Sequence, residues 1–457
     1  ARGPHLNAPM AASNTAPAKA AIEKAQSLAG KASAREQAFI RALAFRYLEN
    51  RTANRGELDR LYADGMREVA QQYPDDPDAQ ALFAEALMVL SRYDYWEDDG
   101  TPNGLGEEIV TTLEKSMERQ PNHPATNHFY IHVVEMRHPK RGEAAADRMR
   151  DLVPGIGHMQ HMPSHIYLQV GRYADASTAN EKAVAADSVY DAANGAQGMY
   201  RISYMPHNAI YLTFSASMEG RGEATIAAAR KARELILDEP LRQPGYGSLT
   251  QGWTLPYYAM VRFGRWTEVL ETPKPEPGEA MLYPTAIWHW ARGMAYLRTG
   301  EIASAKVQLA RLTELATKEM ADKMDVFTPR TALGVLQIAS KPLAAERSAA
   351  PGEYEGAIAA MREAEEIEDG FGYHEPPAWF IPSRQTLGAI LLEADRAAEA
   401  EQVYREDLQK HPSNGWSLFG LAQALEARGK AAEAQDVHGQ FQTAWGRADV
   451  ELTSSRM

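Results

Sequence analysis

Cysteine is absent from this 457-residue chain, and that one absence removes disulfides, iron–sulfur clusters and thiolate-bound zinc. Any transition metal must then be held by His, Asp, Glu, Met or Tyr. Positive charge is also short: 48 Lys and Arg stand against 61 Asp and Glu, for a net charge of −13. The acidic excess is spread along the chain, which argues against nucleic acid as a partner, because phosphate binding needs a basic surface. No apolar run approaches the length of a membrane span. Also missing are a Walker A loop, a Gly-rich dinucleotide turn after a strand, a G-x-S-x-G elbow and an HExxH zinc helix. Nucleotide hydrolysis and a serine nucleophile are therefore not expected. The first residue is Ala1, with no signal peptide, so either a leader has been removed or the sequence starts inside a longer chain. A periplasmic or extracellular location is the expectation, with the cytoplasm left open.

What is present is helix-forming. Hydrophobic residues make up 44% and charged residues 24%, with Ala, Leu, Glu and Arg recurring in amphipathic blocks. The C-terminal third sets the architecture. Gly388, Ala400 and Tyr404 recur 34 residues later as Ala422, Ala434 and His438. Small residues at this period let the two helices of a hairpin approach closely, which is the tetratricopeptide pattern. The same frame continues upstream through Gly293, Tyr296, Gly300 and Ala305, and through Ser164, Tyr167, Gly171, Ala176 and Ala183. Helix starts are marked by Ser33 with Glu36, a capping box, and by Asp76-Pro77. Breaks rich in Gly or Pro lie near 98–106, 238–248, 271–279 and 346–352, none long enough for an interdomain linker. The expected fold is all-α: one continuous superhelix of tetratricopeptide-type hairpins (an α-solenoid). Within it we distinguish an N-terminal helical region with degenerate repeats (1–120), a His-rich central region (121–236) and C-terminal repeats (237–457).

Histidine is distributed unevenly. GHMQHMPSHI places His158, His161 and His165 within eight residues, and NHFYIHVVE supplies His128 and His132 with Glu135 on one helix face. Proline opens the helices at Pro124, Pro163 and Pro206, where a missing N–H costs nothing. Met162-Pro163-Ser164-His165 and Met205-Pro206-His207-Asn208 are parallel phrases 43 residues apart, which sets His165 and His207 in the first turns of successive hairpin helices. His158 and His161 are expected in the loop before Pro163. First helices of successive hairpins lie side by side in such stacks, so these imidazoles can converge in the concave groove. A histidine near a helix N-terminus is favoured as the neutral imidazole, the form that ligates metal.

The expected site is therefore a first-row transition metal (copper, zinc or iron) on His128, His132, His158, His161, His165 and His207. Glu135 is the candidate catalytic base, or else a ligand or a partner to one. Met159, Met162 and Met205 are soft donors suited to copper, although methionine more often fills gaps in a core. Tyr95 and Trp96, in YDYWEDDG, and Trp379 and Arg384, in YHEPPAWFIPSRQ, are candidates for binding a small substrate, with Tyr204 beside them. His289, His374, His411 and His438 lack such partners and read as packing residues.

The repeats resemble the tetratricopeptide superfamily over most of the chain, most specifically at 380–445. The run through HFYIH, GHMQHMPSHIY, GRYADA and HNAIY is similar to a subgroup of large bacterial repeat proteins in which HxxxHxxE and GHxxHMPSHI motifs recur together. Here those motifs are His128, His132 and Glu135, then His158, His161 and His165. Members often carry Cys-containing sequence before the segment that opens this chain as GPHLNAPM, which points to a truncated start. The resemblance implies a fold and leaves activity open. Two functions follow: a metalloprotein acting on a small molecule, and, as the alternative, an adaptor that holds a peptide or protein partner in the groove without metal.

Overall fold

The structure, a computed structural model, describes residues 4–7, 10, 12–48, 54–243, 245–348 and 354–457. Parts of the opening GPHLNAPM segment and of the 346–352 break lie outside the described residues. Among the described residues there is no strand, only an isolated bridge between Trp96 and Pro102. No helix is long and apolar enough to cross a membrane. The all-α expectation is met. The chain divides into two compact units, Ala1–Val153 and Pro154–Met457.

The first unit runs through helices Thr15–Leu28, Ala34–Phe45, Arg55–Gln72, Pro77–Leu90, Gly106–Arg119, Pro124–Val134 and Pro139–Leu152. Its start signals act as their chemistry requires. The Ser33 hydroxyl accepts the Glu36 N–H while the Glu36 carboxylate accepts the Ser33 N–H, satisfying two donors that a helix start leaves open. Asp76 accepts the N–H groups of Asp78 and Ala79, and Pro77 occupies the first turn. Leu58, Met66, Leu87, Leu113 and Ile131 are buried from successive helices and form its core.

The second unit opens with short helices Gly157–His161 and Pro163–Gln169, then Tyr173–Asn194, Met205–Met218, Gly222–Leu235 and Leu249–Arg262. It continues through Leu282–Arg298, Ile302–Leu315, Pro329–Ser348 and Glu355–Asp369, and ends with the hairpins Ser383–Glu393/Ala397–Lys410 and Gly415–Ala427/Ala431–Ala444. The repeat period is visible as packing. A Cβ on Gly388 would stand 2.4 Å from the Tyr404 ring, and one on Gly420 would stand 2.2 Å from the same ring. Tyr404 is wedged between its own hairpin and the next helix, so both contacts require glycine. Gly388→Ala should overpack this joint and cost about 1–3 kcal/mol. A urea midpoint equal to that of the parent would contradict the wedge.

The second unit also closes on itself, which an open solenoid with neighbour-only contacts does not do. Trp416 Nε1 donates to the Ser217 carbonyl at 2.8 Å, across 199 residues. The Asp449 carboxylate accepts the N–H groups of Gly222 and Glu223 at 2.5 and 3.1 Å, capping that helix from the far end of the chain. Gly171, with φ +78°, lies so close to Pro412 that a Cβ would come within 2.3 Å of its carbonyl oxygen. The last hairpin is thereby held against the helices near the unit's start.

Candidate metal centre

Local chemistry explains how the second unit presents its histidines. Contrary to the loop expected before Pro163, His158 and His161 sit on the helical turn Gly157–His161, which runs almost directly into Pro163–Gln169. Gly157 permits this turn: a Cβ there would overlap Asp187 Oδ1 at 2.0 Å on the long helix behind it. The Met162 N–H reaches the His158 carbonyl at 3.1 Å and the His165 N–H reaches that of Met162 at 3.2 Å, so helical register survives the proline. His161 and His165, four residues apart, therefore share one face. His207 comes from the first turn of Met205–Met218, where Pro206 falls as expected.

Three ring nitrogens meet. His161 Nε2 lies 3.0 Å from His165 Nε2 and 3.1 Å from His207 Nε2. The set offers three donor atoms within 4.8 Å of one another. His161 is fully buried, His165 is buried and His207 half-buried.

The opposite edges of two rings define their protonation. Asn180 Nδ2 donates to the Ala176 carbonyl at 2.8 Å, so its Oδ1 is the atom facing His161 Nδ1 at 2.7 Å. His161 Nδ1 must carry the proton, leaving a lone pair on Nε2. His165 Nδ1 donates to Glu375 Oε2 at 2.6 Å, which leaves its Nε2 as the nitrogen facing His161. Glu375 is itself held by Tyr211, whose hydroxyl donates to Oε2 at 2.8 Å, and by Gln169, whose amide donates to Oε1 at 2.5 Å. Burial, reinforced by His207, His165 and His158, keeps the His161 pKa well below the ordinary histidine value. Its imidazole is neutral.

Glu375 arrives from the loop between Glu355–Asp369 and Ser383–Glu393. Trp379 and Phe380 anchor that loop in the core: the Phe380 ring lies 5.6 Å from Phe214, and the Trp379 ring 5.2 Å from Trp290.

The remaining candidates fall as follows. His158 is half-buried, its ring 4.5 Å from that of Tyr204 and 6.0 Å from that of His161. Met162 and Met205 are buried and Met159 is half-buried. Arg384 is tied to Asp369 by two 2.7 Å bonds and to Glu365 at 2.9 Å, and Trp379 packs on Tyr258 and Trp290. In the first unit, the His128 and His132 rings are 5.0 Å apart, and buried His132 Nδ1 faces Glu135 Oε1 at 3.4 Å. There Tyr95 is buried, and Trp96 Nε1 donates to the Val133 carbonyl at 2.5 Å. Among the four expected packing histidines, His289 bonds Gln308 at 2.8 Å and His411 bonds Asp407 at 3.1 Å.

Sequence reasoning missed three partners of the trio. Tyr211 was within reach, being four residues from His207 on one helix. Asn180 lies on the buried face of its helix among Tyr173, Ala176, Ser177, Ala183 and Asp187, and nothing local singles it out. Glu375 lies in the aromatic stretch YHEPPAWFIPSRQ, and nothing local ties it to His165, 210 residues away.

The fold places the chain among all-α helical-hairpin repeat proteins. No protein-family model matches the chain, and no curated protein matches it. Solved structures to which it is similar include the human IFIT1 dimer with m7Gppp-AAAA, at 13% identity and a TM-score of 0.37, covering 94% of this chain and 86% of that one. Yeast Tom70 is similar at 10% identity and a TM-score of 0.34, covering 88% of this chain and 92% of that one. The APC/C hetero-tetramer Cut9–Hcn1 is similar at 10% identity and a TM-score of 0.28, covering 94% of this chain and 97% of that one.

Proposed function

We propose that this protein is a metalloprotein whose second unit binds a first-row transition metal through His161, His165 and His207. One observation carries the reading: the convergence of three Nε2 atoms, two of which have their opposite nitrogens donating to Asn180 and Glu375. Two lone pairs at 3.0 Å repel unless a cation lies between them. A shared proton would relieve one of the two contacts at His161, whereas a single metal ion satisfies all three rings. Donors bound at about 2.0–2.1 Å to one ion stand roughly 2.9–3.4 Å apart for bond angles near 90–110°. The two short contacts fall in that range. The carboxylate–histidine pair is the usual means of fixing a ligating ring.

An all-imidazole set suits zinc, copper, iron or nickel, and the ion would supply Lewis-acid or redox chemistry to a small substrate. His128, His132 and Glu135 form a further donor group in the first unit, with His158 the nearest addition to the trio in the second. The test is elemental analysis of protein purified without an affinity tag, alongside His161→Ala plus His165→Ala. The parent should carry, or take up on titration with Zn(II), Cu(II), Fe(II) or Ni(II), about one ion per chain that the double variant lacks. Failure of the parent to hold any of the four ions at stoichiometry ends the metal reading. A peptide that copurifies with such metal-free protein would establish the adaptor instead.

A further inference from the structure

Closure of the second unit also forms a cavity of about 260 Å3 beside Glu375, lined by none of the three histidines. Small-molecule pockets usually hold roughly 300–1,000 Å3, so this one suits a ligand at the small end. Leu168 and Tyr173 reach it from near the start of the unit and Phe214 from Met205–Met218. Glu368, Phe371 and Trp379 come from Glu355–Asp369 and the loop after it. Gly372 and Lys410, both exposed, mark its opening to solvent.

Two polar groups in this wall have bonding capacity to spare. Tyr173 is 3% exposed, and its hydroxyl has no hydrogen-bond partner among the described residues. Buried hydroxyls are ordinarily satisfied. The Glu368 carboxylate accepts the Ser383 N–H at 2.9 Å, with the Ser383 hydroxyl beside it, and forms no ion pair among the described residues. Burial pushes its pKa up against the weaker pulls of Ser383 and His411. The cations nearby are committed elsewhere. His411 Nδ1 bonds Asp407 at 3.1 Å, and Lys410 is paired with Asp369. Arg384, which feels the Glu368 charge, is bound to Asp369 at 2.7 Å and to Glu365 at 2.9 Å. Burial lowers the pKa of His374, also in the wall, so that ring adds no charge at neutral pH. A buried carboxylate ordinarily has a counter-charge, and aromatic faces attract organic cations. An ammonium group on a flat apolar body meets both conditions.

We infer that this cavity binds a small aromatic amine as its ammonium ion, with the nitrogen on Glu368, the Tyr173 hydroxyl as a further hydrogen-bond partner and the ring against Phe214, Phe371 and Trp379. The site is separate from the histidine trio, and no metal takes part in it.

Isothermal titration calorimetry on the full chain tests the site, with chelator-treated protein so that the outcome is independent of the metal reading. The probes are benzylamine, 2-phenylethylamine and tyramine, each compared with the alcohol that replaces its amino group by hydroxyl. At least one amine should bind with 1:1 stoichiometry and about tenfold or more tighter than its alcohol. Glu368→Gln should abolish the preference for amine over alcohol. Tyr173→Phe should weaken amine binding by about threefold or more. Its thermal midpoint should be no lower than the parent's, because the hydroxyl it removes has no partner to lose. Equal binding of amine and alcohol, no 1:1 binding by any amine, or an unchanged preference in Glu368→Gln with parental circular dichroism would overturn the assignment. So would parental amine affinity in Tyr173→Phe, which decides the matter if Glu368→Gln does not fold.

Discussion

Trp416→Ala should destabilise the second unit by about 3–5 kcal/mol, the upper range for removing a large buried aromatic. The ring is fully buried and does three things together. It donates to the Ser217 carbonyl at 2.8 Å, stands 5.4 Å and perpendicular to Trp445, and lies under the Arg262 guanidinium. Truncation therefore leaves a cavity, an unpaired carbonyl and a buried cation without its aromatic partner. Trp416→Phe restores most of the volume but not the indole N–H, so it should cost less, about 1–2 kcal/mol. Urea unfolding followed by far-UV circular dichroism checks both values. A loss below about 1 kcal/mol for the alanine variant would mean that closure of the last hairpin onto Ser217 contributes little to stability.

Glu375→Gln should weaken metal binding by about 10–100-fold with His161, His165 and His207 all in place. The carboxylate orients His165 through Nδ1 at 2.6 Å and collects hydrogen bonds from Tyr211 and Gln169. A glutamine keeps the shape but loses the charge that favours a cation on the far nitrogen. It also presents an amide that cannot accept all three bonds. Competition against a chromophoric chelator measures the change. Tyr211→Phe, which removes one donor to Glu375 and leaves the carboxylate, should show a smaller loss. Parental affinity in Glu375→Gln would remove the carboxylate from the site, and the case for His165 as a ligand would weaken with it.

Much of the fold was legible from local patterns because local physics decides it. The capping box at Ser33 and Glu36, the Asp76-Pro77 start and the first-turn prolines at 124, 163 and 206 act within a few residues of themselves. The small residues Gly388 and Gly420 report the close approach of the helices that pack on Tyr404. The trio was legible in part: the repeated Met-Pro start sets His165 and His207 in the first turns of their helices, whereas His161 shares a face with His165 only because the chain before Pro163 is helical rather than the expected loop.

The chain by itself thus determined an all-α hairpin fold and the histidines worth testing. Tertiary structure decided the rest. Closure of the second unit carries the loop of Glu375 across 210 residues to His165 and lays Trp416 on Ser217 across 199. It also moves Trp379 and Arg384 to different tasks, one in an aromatic cavity and the other in a cluster with Asp369 and Glu365. Contacts of that range leave no periodic trace, because they depend on how small rotations between hairpins accumulate along the unit. A sequence can show which imidazoles face the same way. Which carboxylate orients them is set only when the ends of the second unit meet.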